Sequence, residues 1–402
     1  MATSRKKKTI KIEDLKPGMV FTSPLYIDDE NILVRANEPI KKTDIEKLLK
    51  WGIDVVYTDG DLIIEQNKEL KKNIESKGNK VLQELDDIKL HKDYAKLKDF
   101  KEEFQERIIT IGSILRRNFK DLVEKKQFNN HEILSEALYL TNQIVEYRFF
   151  PLLLLGIRIS DDVIVHHSIH TACYGGYLGK LINLSKVRIQ DLVFAIMLMD
   201  VGMYFIPPQL RQKNYPLTEK ERRVFYAHTI YGYKVLKEDA YVKQPLALVA
   251  LQHHENFDGT GYPRKLKKEE ISLMARIAAV VDRYAAMIED RYHRTAKMPY
   301  EAMKVLLSQE ASHLDPRILR FFVGGMSAYP IGSYVLLSNN YKALVVEGNI
   351  QSPLRPLVKL LFDDSNKIIE DLKFLDLTKE PTVTITKVLN PKNEGLNISQ
   401  LI

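Results

Sequence analysis

The hydrophobic and polar positions of the chain follow a different period in each region. Near the N-terminus, residues 9–12 alternate as a strand does, and residues 43–46 (Thr-Asp-Ile-Glu) form a capping-box pattern that opens a short helix. Gly52 ends this helix, and residues 54–57 form a further strand. We predict that residues 1–62 are a small α/β module. Nothing in it has catalytic spacing, so a regulatory or protein-contact role is expected.

Residues 63–150 have a helical period and many charges. Apolar residues recur at three-, four- or seven-residue intervals between lysines and glutamates, as in an amphipathic helix. This pattern predicts a charged helical linker. Two interpretations stay open: the stripe forms a short coiled coil that makes a homodimer, or it packs on its own domain. The stripe consists of Leu70, Ile74, Val81, Leu85, Ile88 and Leu90.

Residues 151–326 are predicted to form a helical domain with acids at unusual places. Residues 192–199 are almost wholly apolar and are followed at once by Asp200. Residues 275–287 are also apolar apart from Asp282 and two arginines. An unpaired buried carboxylate is costly, so a metal ion or another cation near these acids would explain their positions.

The period changes to that of strands from Tyr329 onward. Strands are predicted at residues 334–337, 343–346, 357–362 and 383–386. Residues 327–402 should therefore form a small β-rich subdomain. The predicted fold class is mainly α, with the α/β module at one end and this segment at the other.

Composition and charge narrow the class of protein. The chain has 402 residues and is 45% hydrophobic, which is ordinary for a globular protein of two or three domains. The net charge is +7, but acids separate the basic residues, so a solvated surface is expected rather than a nucleic-acid groove. No apolar run approaches the length of a membrane span, and no apolar signal core follows the basic N-terminus. The single cysteine, Cys173, excludes an intrachain disulfide and fits a cytoplasmic location.

Histidines are concentrated in the helical region, where six of the ten lie between positions 166 and 254. Histidine is the commonest metal-ligand side chain, and nitrogen with carboxylate ligands suits Fe, Mn, Zn or Co rather than Ca. A bound metal lowers the pKa of its water to about 7. His166, His170 and His313 are expected to be surface or packing residues. The side chains predicted to converge are His167, Asp200, His228, His253, His254 and Asp282.

The segment 253–263 is the densest in candidate chemistry. Two adjacent histidines end an apolar helix, and an acidic turn with Gly259 and Gly261 follows, where the backbone can pass close to a ligand. Taken alone, this segment fits a polar helix C-terminus and a turn equally well.

The whole segment reads HHExxDGxGYP and resembles the signature of HD-GYP proteins, the bacterial family that hydrolyses cyclic di-GMP within the HD metal-phosphohydrolase superfamily. The resemblance covers roughly residues 160–325. Other motifs stand in the family order, namely His167-Ser168, Asp200-Val201-Gly202, Leu217-Thr218-Glu219 with His228 and Gly232, and the helix with Asp282.

The resemblance implies a helical HD-type fold with a metal centre, commonly Fe or Mn, of one or two ions here. The six residues named above would be its ligands, with Asp200 bridging and catalytic. The substrate would be cyclic di-GMP or a related cyclic dinucleotide. Arg291 and Arg294 would hold its phosphates, and Tyr262, Gly259 and Gly261 would contact it.

Four positions depart from the family pattern. Met199 replaces a histidine, Met203 a lysine, Ala285 an acid, and Val163 a glutamate. A thioether does not substitute for imidazole on a hard metal ion, and loss of one electrostatic group typically costs on the order of 10²–10³ in rate. Two functions therefore stay open. The chain is a phosphodiesterase with reduced or lost turnover, or it is an inactive nucleotide sensor that signals to a protein partner through the helical linker.

Overall fold

The computed structural model of the chain describes residues 7–28, 31–62, 68–213, 216–290, 295–394 and 396–397, with the side chains of 68–86 left aside. The chain divides into two compact units, Met1–Asp87 and Ile88–Ile402. Among the described residues, no helix is both long enough and apolar enough to cross a bilayer.

The N-terminal unit contains a four-stranded antiparallel sheet of order β1-β4-β2-β3. The predicted helix begins slightly earlier than its capping pattern suggests, because the carboxylate of Asp44 accepts a hydrogen bond from the backbone N–H of Lys41. Leu25, Leu48 and Val56 form the centre of a small core. The elements are β1 (Lys8–Lys11), β2 (Leu25–Tyr26), β3 (Ile32–Val34), α1 (Lys42–Lys50) and β4 (Val55–Thr58).

The second unit is built mainly of helices. They are α2 (Lys68–Lys125), α3 (Asn130–Glu146), α4 (Val163–Leu181), α5 (Lys186–Leu198), α6 (Pro208–Arg211), α7 (Glu219–Tyr226), α8 (His228–Glu238), α9 (Gln244–Gln252), α10 (Leu273–Ile288), α11 (Pro299–Val305) and α12 (Pro316–Met326).

Helix α2 continues far into the second unit. From Leu90 to Leu122 most of its apolar side chains are buried in the main hydrophobic core, although Ile109 is exposed, so this part of the helix packs on its own domain. The earlier members of the predicted stripe, Leu70 to Leu85, lie outside the described side chains, and dimerisation through them stays a prediction.

Helices α4, α5, α9 and α10 form the centre of this core and bring their ends together. Close packing of α4 on α5 depends on Gly175, where an added Cβ would lie 2.3 Å from the Ile196 side chain. The centre is otherwise filled by apolar residues such as Ile169, Val193 and Val280.

The C-terminal segment is a five-stranded antiparallel sheet of order β8-β7-β6-β5-β9. Its strands are β5 (Tyr334–Leu337), β6 (Lys342–Glu347), β7 (Leu357–Phe362), β8 (Phe374–Asp376) and β9 (Ile385–Leu389). The predicted fold class, mainly α with a small N-terminal sheet and a β-rich C-terminal segment, is confirmed. The short half-buried strand β8 has no alternating pattern and was not predicted.

Candidate metal centre

The six predicted ligands lie together in two groups that share Asp200. Asp200, His228, His253 and His254 offer ligand atoms within 4.8 Å of one another, and His167, Asp200 and Asp282 do the same. All six except the partly buried His254 are buried. Helix ends account for part of the convergence, because His228 begins α8, His253 directly follows α9 and Asp200 lies just beyond the end of α5. His167 lies near the start of α4, and Asp282 lies within α10.

A glycine sets how closely two of these elements approach. Gly202 lies two residues after Asp200, and a Cβ added there would be 1.9 Å from the carbonyl oxygen of His228. This contact places Asp200 Oδ1 3.7 Å from His228 Nε2. The same oxygen is 3.5 Å from His253 Nε2. No larger residue would allow the chain after α5 to pack this closely on the start of α8.

Backbone carbonyls fix the tautomers of two histidines. His228 Nδ1 lies 2.7 Å from the Phe225 carbonyl oxygen, and His253 Nδ1 lies 3.0 Å from that of Ala250. A carbonyl oxygen only accepts, so both Nδ1 atoms carry the proton. The two Nε2 atoms therefore face each other with lone pairs at 3.5 Å. Such an arrangement suits a cation between them, and the donor set fits a divalent transition metal.

The electrostatics favour the ligand form of His228 and Asp200 but not that of His253. Burial lowers the pKa of His228, which keeps its imidazole neutral as metal ligation requires. Burial opposes protonation of His253, but the hydrogen bond and charge of Asp200 raise its pKa overall. Burial likewise opposes ionisation of Asp200, while His253 and the other histidines hold its pKa below its usual range. Asp200 is therefore a carboxylate at neutral pH.

The second group is supported by Glu289, a residue that the sequence analysis missed. His167 Nε2 lies 2.8 Å from Asp282 Oδ1 and 3.9 Å from Asp200 Oδ2. On its other side, His167 Nδ1 lies 2.8 Å from Glu289 Oε2. A carboxylate behind a ligating histidine fixes its tautomer and raises its basicity. In the sequence, only its position could have identified Glu289, because it is an acidic residue at the end of an apolar helix, as Asp200 is.

His170 and His313 have partners that the sequence analysis did not foresee. His170 is buried, with Nδ1 2.7 Å from Glu289 Oε1, so it is part of the polar network and not a surface residue. His313 was expected to lack a partner, but its Nδ1 lies 2.9 Å from Asp258 Oδ2. The separations along the chain are 119 and 55 residues, which places these pairs beyond any local pattern.

The GYP loop (residues 253–263) is held mainly by its own backbone. The buried carboxylate of Glu255 accepts hydrogen bonds from the N–H groups of Arg264 and Leu266, at 2.6 and 3.0 Å. Gly259 has φ +84, and a Cβ on Gly261 would lie 2.2 Å from the backbone nitrogen of Asn256. The close approach at Gly261 is thus to the loop itself and that at Gly259 is to the Lys267 side chain, and contact of either glycine with a ligand stays a prediction.

A cavity of about 740 Å³ opens beside the two groups. Its wall includes five of the six predicted ligands, all except His253, together with Tyr262. The Tyr262 ring stacks on Tyr226, with centroids 3.7 Å apart and planes within 10°. Of the departures from the family pattern, Met203 and Val163 line this cavity, whereas Met199 and Ala285 are fully buried in the core. Arg291 and Arg294 lie outside the described residues.

Comparison with known proteins places the site within a matched domain. Residues 158–318 match the HD domain family, and residues 334–396 match a KOW domain associated with the HD domain. HD domains are metal-dependent, and the histidine and aspartate groups described above could bind metal.

Curated relatives share this region. The chain is 31% identical over 224 residues to the cyclic di-GMP phosphodiesterase PA4108 of Pseudomonas aeruginosa, covering 56% of this chain and 54% of that protein. It is 32% identical over 150 residues to the 3'3'-cGAMP-specific phosphodiesterase 3 of Vibrio cholerae, covering 37% of this chain and 32% of that protein. The chain thus spans about half the length of PA4108, and less of the second relative.

Among solved structures, the chain matches Bd1817, an HDG"Y"P protein from Bdellovibrio bacteriovorus, with a TM-score of 0.47 and 16% sequence identity over 79% of this chain and 98% of that one. On the sequence matches, residues 158–318 match the HD domain family, and the chain is homologous to curated cyclic di-GMP phosphodiesterases of the HD-GYP type.

Proposed function

We propose that the chain is a metal-dependent phosphodiesterase that acts on cyclic di-GMP or a related cyclic dinucleotide. The observation that carries this proposal is the pair of buried ligand groups that share Asp200 and line a cavity of about 740 Å³. Cavities of roughly 300–1,000 Å³ are typical of small-molecule sites. The names of the relatives, which specify cyclic di-GMP and 3'3'-cGAMP, support a cyclic dinucleotide.

The mixed nitrogen and carboxylate donors of the two groups suit Fe, Mn, Zn or Co, and the resemblance to HD-GYP proteins implies Fe or Mn first. His228, His253 and His254 would complete one position with Asp200, and His167 and Asp282 would complete the other. When bound, such an ion polarises a phosphoryl oxygen and lowers the pKa of water to about 7.

The residues of the chain itself would bind and orient the substrate. Asp200 is common to both groups and is the catalytic residue in this proposal. Tyr262, which lines the cavity and is stacked on Tyr226, offers an aromatic contact beside the groups that suits a nucleobase. Burial raises the pKa of Tyr262, so its phenol remains a hydrogen-bond donor. Arg291 and Arg294 would hold phosphate oxygens.

A second candidate is a cyclic dinucleotide sensor with little or no turnover. Two positions favour it. Met199 is fully buried among apolar residues and adds no nitrogen ligand, and Met203 places a thioether on the cavity wall. The remaining ligand groups would still bind metal and nucleotide, while the weakened electrostatic support would slow phosphoryl transfer.

One experiment decides between the two candidates. The full chain is loaded with Mn²⁺ or Fe²⁺, bound metal per chain is measured, and cyclic di-GMP and 3'3'-cGAMP are then incubated with it. Chromatography follows linear dinucleotide and mononucleotide products, and calorimetry gives the affinity. Asp200→Ala is the test variant, and Asp161→Ala, which changes a side chain 90% exposed, is the control.

Turnover that Asp200→Ala abolishes and Asp161→Ala preserves supports the enzyme and excludes a sensor without turnover. Tight binding with no product supports the sensor. In that case the double variant Met199→His/Met203→Lys should gain activity if those two positions caused the loss. Absence of both nucleotide binding and turnover in the metal-loaded wild type contradicts both candidates.

A further inference from the structure

The cations on the cavity wall differ in how they are paired. Among the described lining residues, three carry a permanent positive charge: Arg211, Lys213 and Arg283. Lys213 Nζ lies 2.6 Å from both carboxylate oxygens of Glu221. Arg283 Nε lies 3.0 Å from Glu310 Oε2. Arg211 has no carboxylate within 4.0 Å among the residues that the structure describes, so its charge is available to an anionic ligand.

Arg211 is held on a fixed aromatic platform. Its guanidinium lies over the ring of Tyr204, 5.7 Å from the centroid. The Tyr204 hydroxyl donates a 2.5 Å hydrogen bond to Asp162, and its ring packs edge-on against Phe119 at 5.5 Å. A guanidinium stacked on an aromatic face keeps its N–H groups free at its edge, where they can meet a planar pair of oxygens.

The Nε atom of Arg211 provides a second, independent observation. It is buried and, among the residues that the structure describes, has no hydrogen-bond partner. A buried donor on a charged group that lacks an acceptor is costly and uncommon. A phosphate oxygen on a bound ligand would satisfy it, because Nε and a neighbouring guanidinium nitrogen form the fork that binds two phosphate oxygens together.

A cyclic dinucleotide contains two phosphodiester groups within one ring. Only one of them can lie at the metal-ligand groups around Asp200, and the other must be accommodated elsewhere in the same cavity. Resting on the proposed function, we infer that Arg211 forms a subsite for the second, non-reacting phosphate of the cyclic dinucleotide. Arg211 is then a binding and positioning residue that holds the ring in place while the first phosphate is presented to the metal centre.

The test compares Arg211→Gln and Arg211→Lys with the wild type in the full, Mn²⁺-loaded chain. Arg188→Gln, at an exposed position on α5 that is not part of the cavity wall, is the matched control. The measurements are the Kd for cyclic di-GMP by calorimetry, the bound metal per chain and the melting temperature. Where turnover is present, KM and kcat are measured separately.

Loss of a charge-assisted hydrogen-bond pair should raise the Kd of Arg211→Gln roughly 10- to 100-fold. Arg211→Lys, which keeps the charge but not the fork, should show a smaller increase. Metal content and melting temperature should match those of the wild type, and Arg188→Gln should bind normally. An increase in KM larger than the change in kcat is expected if the enzyme turns over.

Two results would overturn the subsite. One is an unchanged Kd in Arg211→Gln. The other is an increased Kd accompanied by loss of bound metal or a lower melting temperature, which would make Arg211 a support of the fold. If the metal-loaded wild type binds no cyclic dinucleotide, the proposed function itself fails, and the result does not depend on the Arg211 variants.

Discussion

Replacement of Gly202 by alanine should damage the metal centre through one steric contact. The added Cβ would lie 1.9 Å from the His228 carbonyl oxygen and 2.6 Å from the backbone nitrogen of Gly232. Ordinary contact begins near 3.4 Å, so the segment after Asp200 or the start of α8 must move by about 1.5 Å. Both obstacles are backbone atoms, which cannot rotate away as a flexible side chain can.

The expected cost follows from this displacement. Overpacking of a buried site typically costs about 1–3 kcal/mol, and a clash with backbone atoms belongs at the upper end. A loss of about 3 kcal/mol corresponds to a decrease in melting temperature of roughly 5 °C for the unit Ile88–Ile402. Metal-ligand distances tolerate errors of only about 0.2 Å, so metal affinity should fall on the order of tenfold or more.

Gly232→Ala is the matched control, because it adds the same methyl group on the opposite side of the same interface. Its Cβ would lie 3.3 Å from the Gly202 nitrogen and 3.5 Å from its next neighbours, which requires shifts of only a few tenths of an ångström. Alanine also favours the helix by up to about 1 kcal/mol. This variant should therefore melt close to the wild type and bind metal normally.

The assay is the melting temperature of each protein in excess chelator and again with Mn²⁺, together with metal titration by calorimetry. The chelated sample reports the steric cost, and the increase on adding metal reports the affinity. A Gly202→Ala protein that melts and binds metal like Gly232→Ala would refute the claim that this contact positions Asp200 against His228.

Three further predictions concern the metal ion, the buried carboxylate of Glu289 and the half-buried amine of Lys359. Chelation should lower the melting temperature, and Mn²⁺ at about 100 times its Kd should restore roughly 4 °C; no shift would argue against metal binding. Glu289→Gln should weaken metal binding roughly 10- to 100-fold through His167 while the fold is retained, and unchanged calorimetric affinity would contradict this. Burial and neighbouring lysines lower the pKa of Lys359 to about 8. Between about pH 8 and 10.5, the unfolded chain then binds more protons at this lysine than the folded chain does, so the free energy of unfolding should rise with pH. Melting at each pH should show this rise in the wild type relative to Lys359→Met.

Features that depend only on residues close together along the chain could be predicted from the sequence. The histidine pair before the glycine turn, and the acids Asp200 and Asp282 in apolar surroundings, identified the set of residues that the fold brings together. Period alone gave the helical centre and the strands of the C-terminal sheet, because burial of one face repeats at a fixed interval along an element. The short strand β8 has too few residues to show that interval.

Tertiary structure decided the features that join distant positions. Glu289 contacts His167 and His170, which lie more than a hundred residues away along the chain. His313 lies in the turn before α12 and contacts Asp258 only because that turn lies against the GYP loop. The contact of Gly202 with His228 and the unpaired Nε of Arg211 likewise depend on how helices pack. The residue types and their local pattern in the sequence determined which side chains could bind a metal ion. Packing decided which atoms face one another, because interhelical distances depend on the fit of many side chains at once.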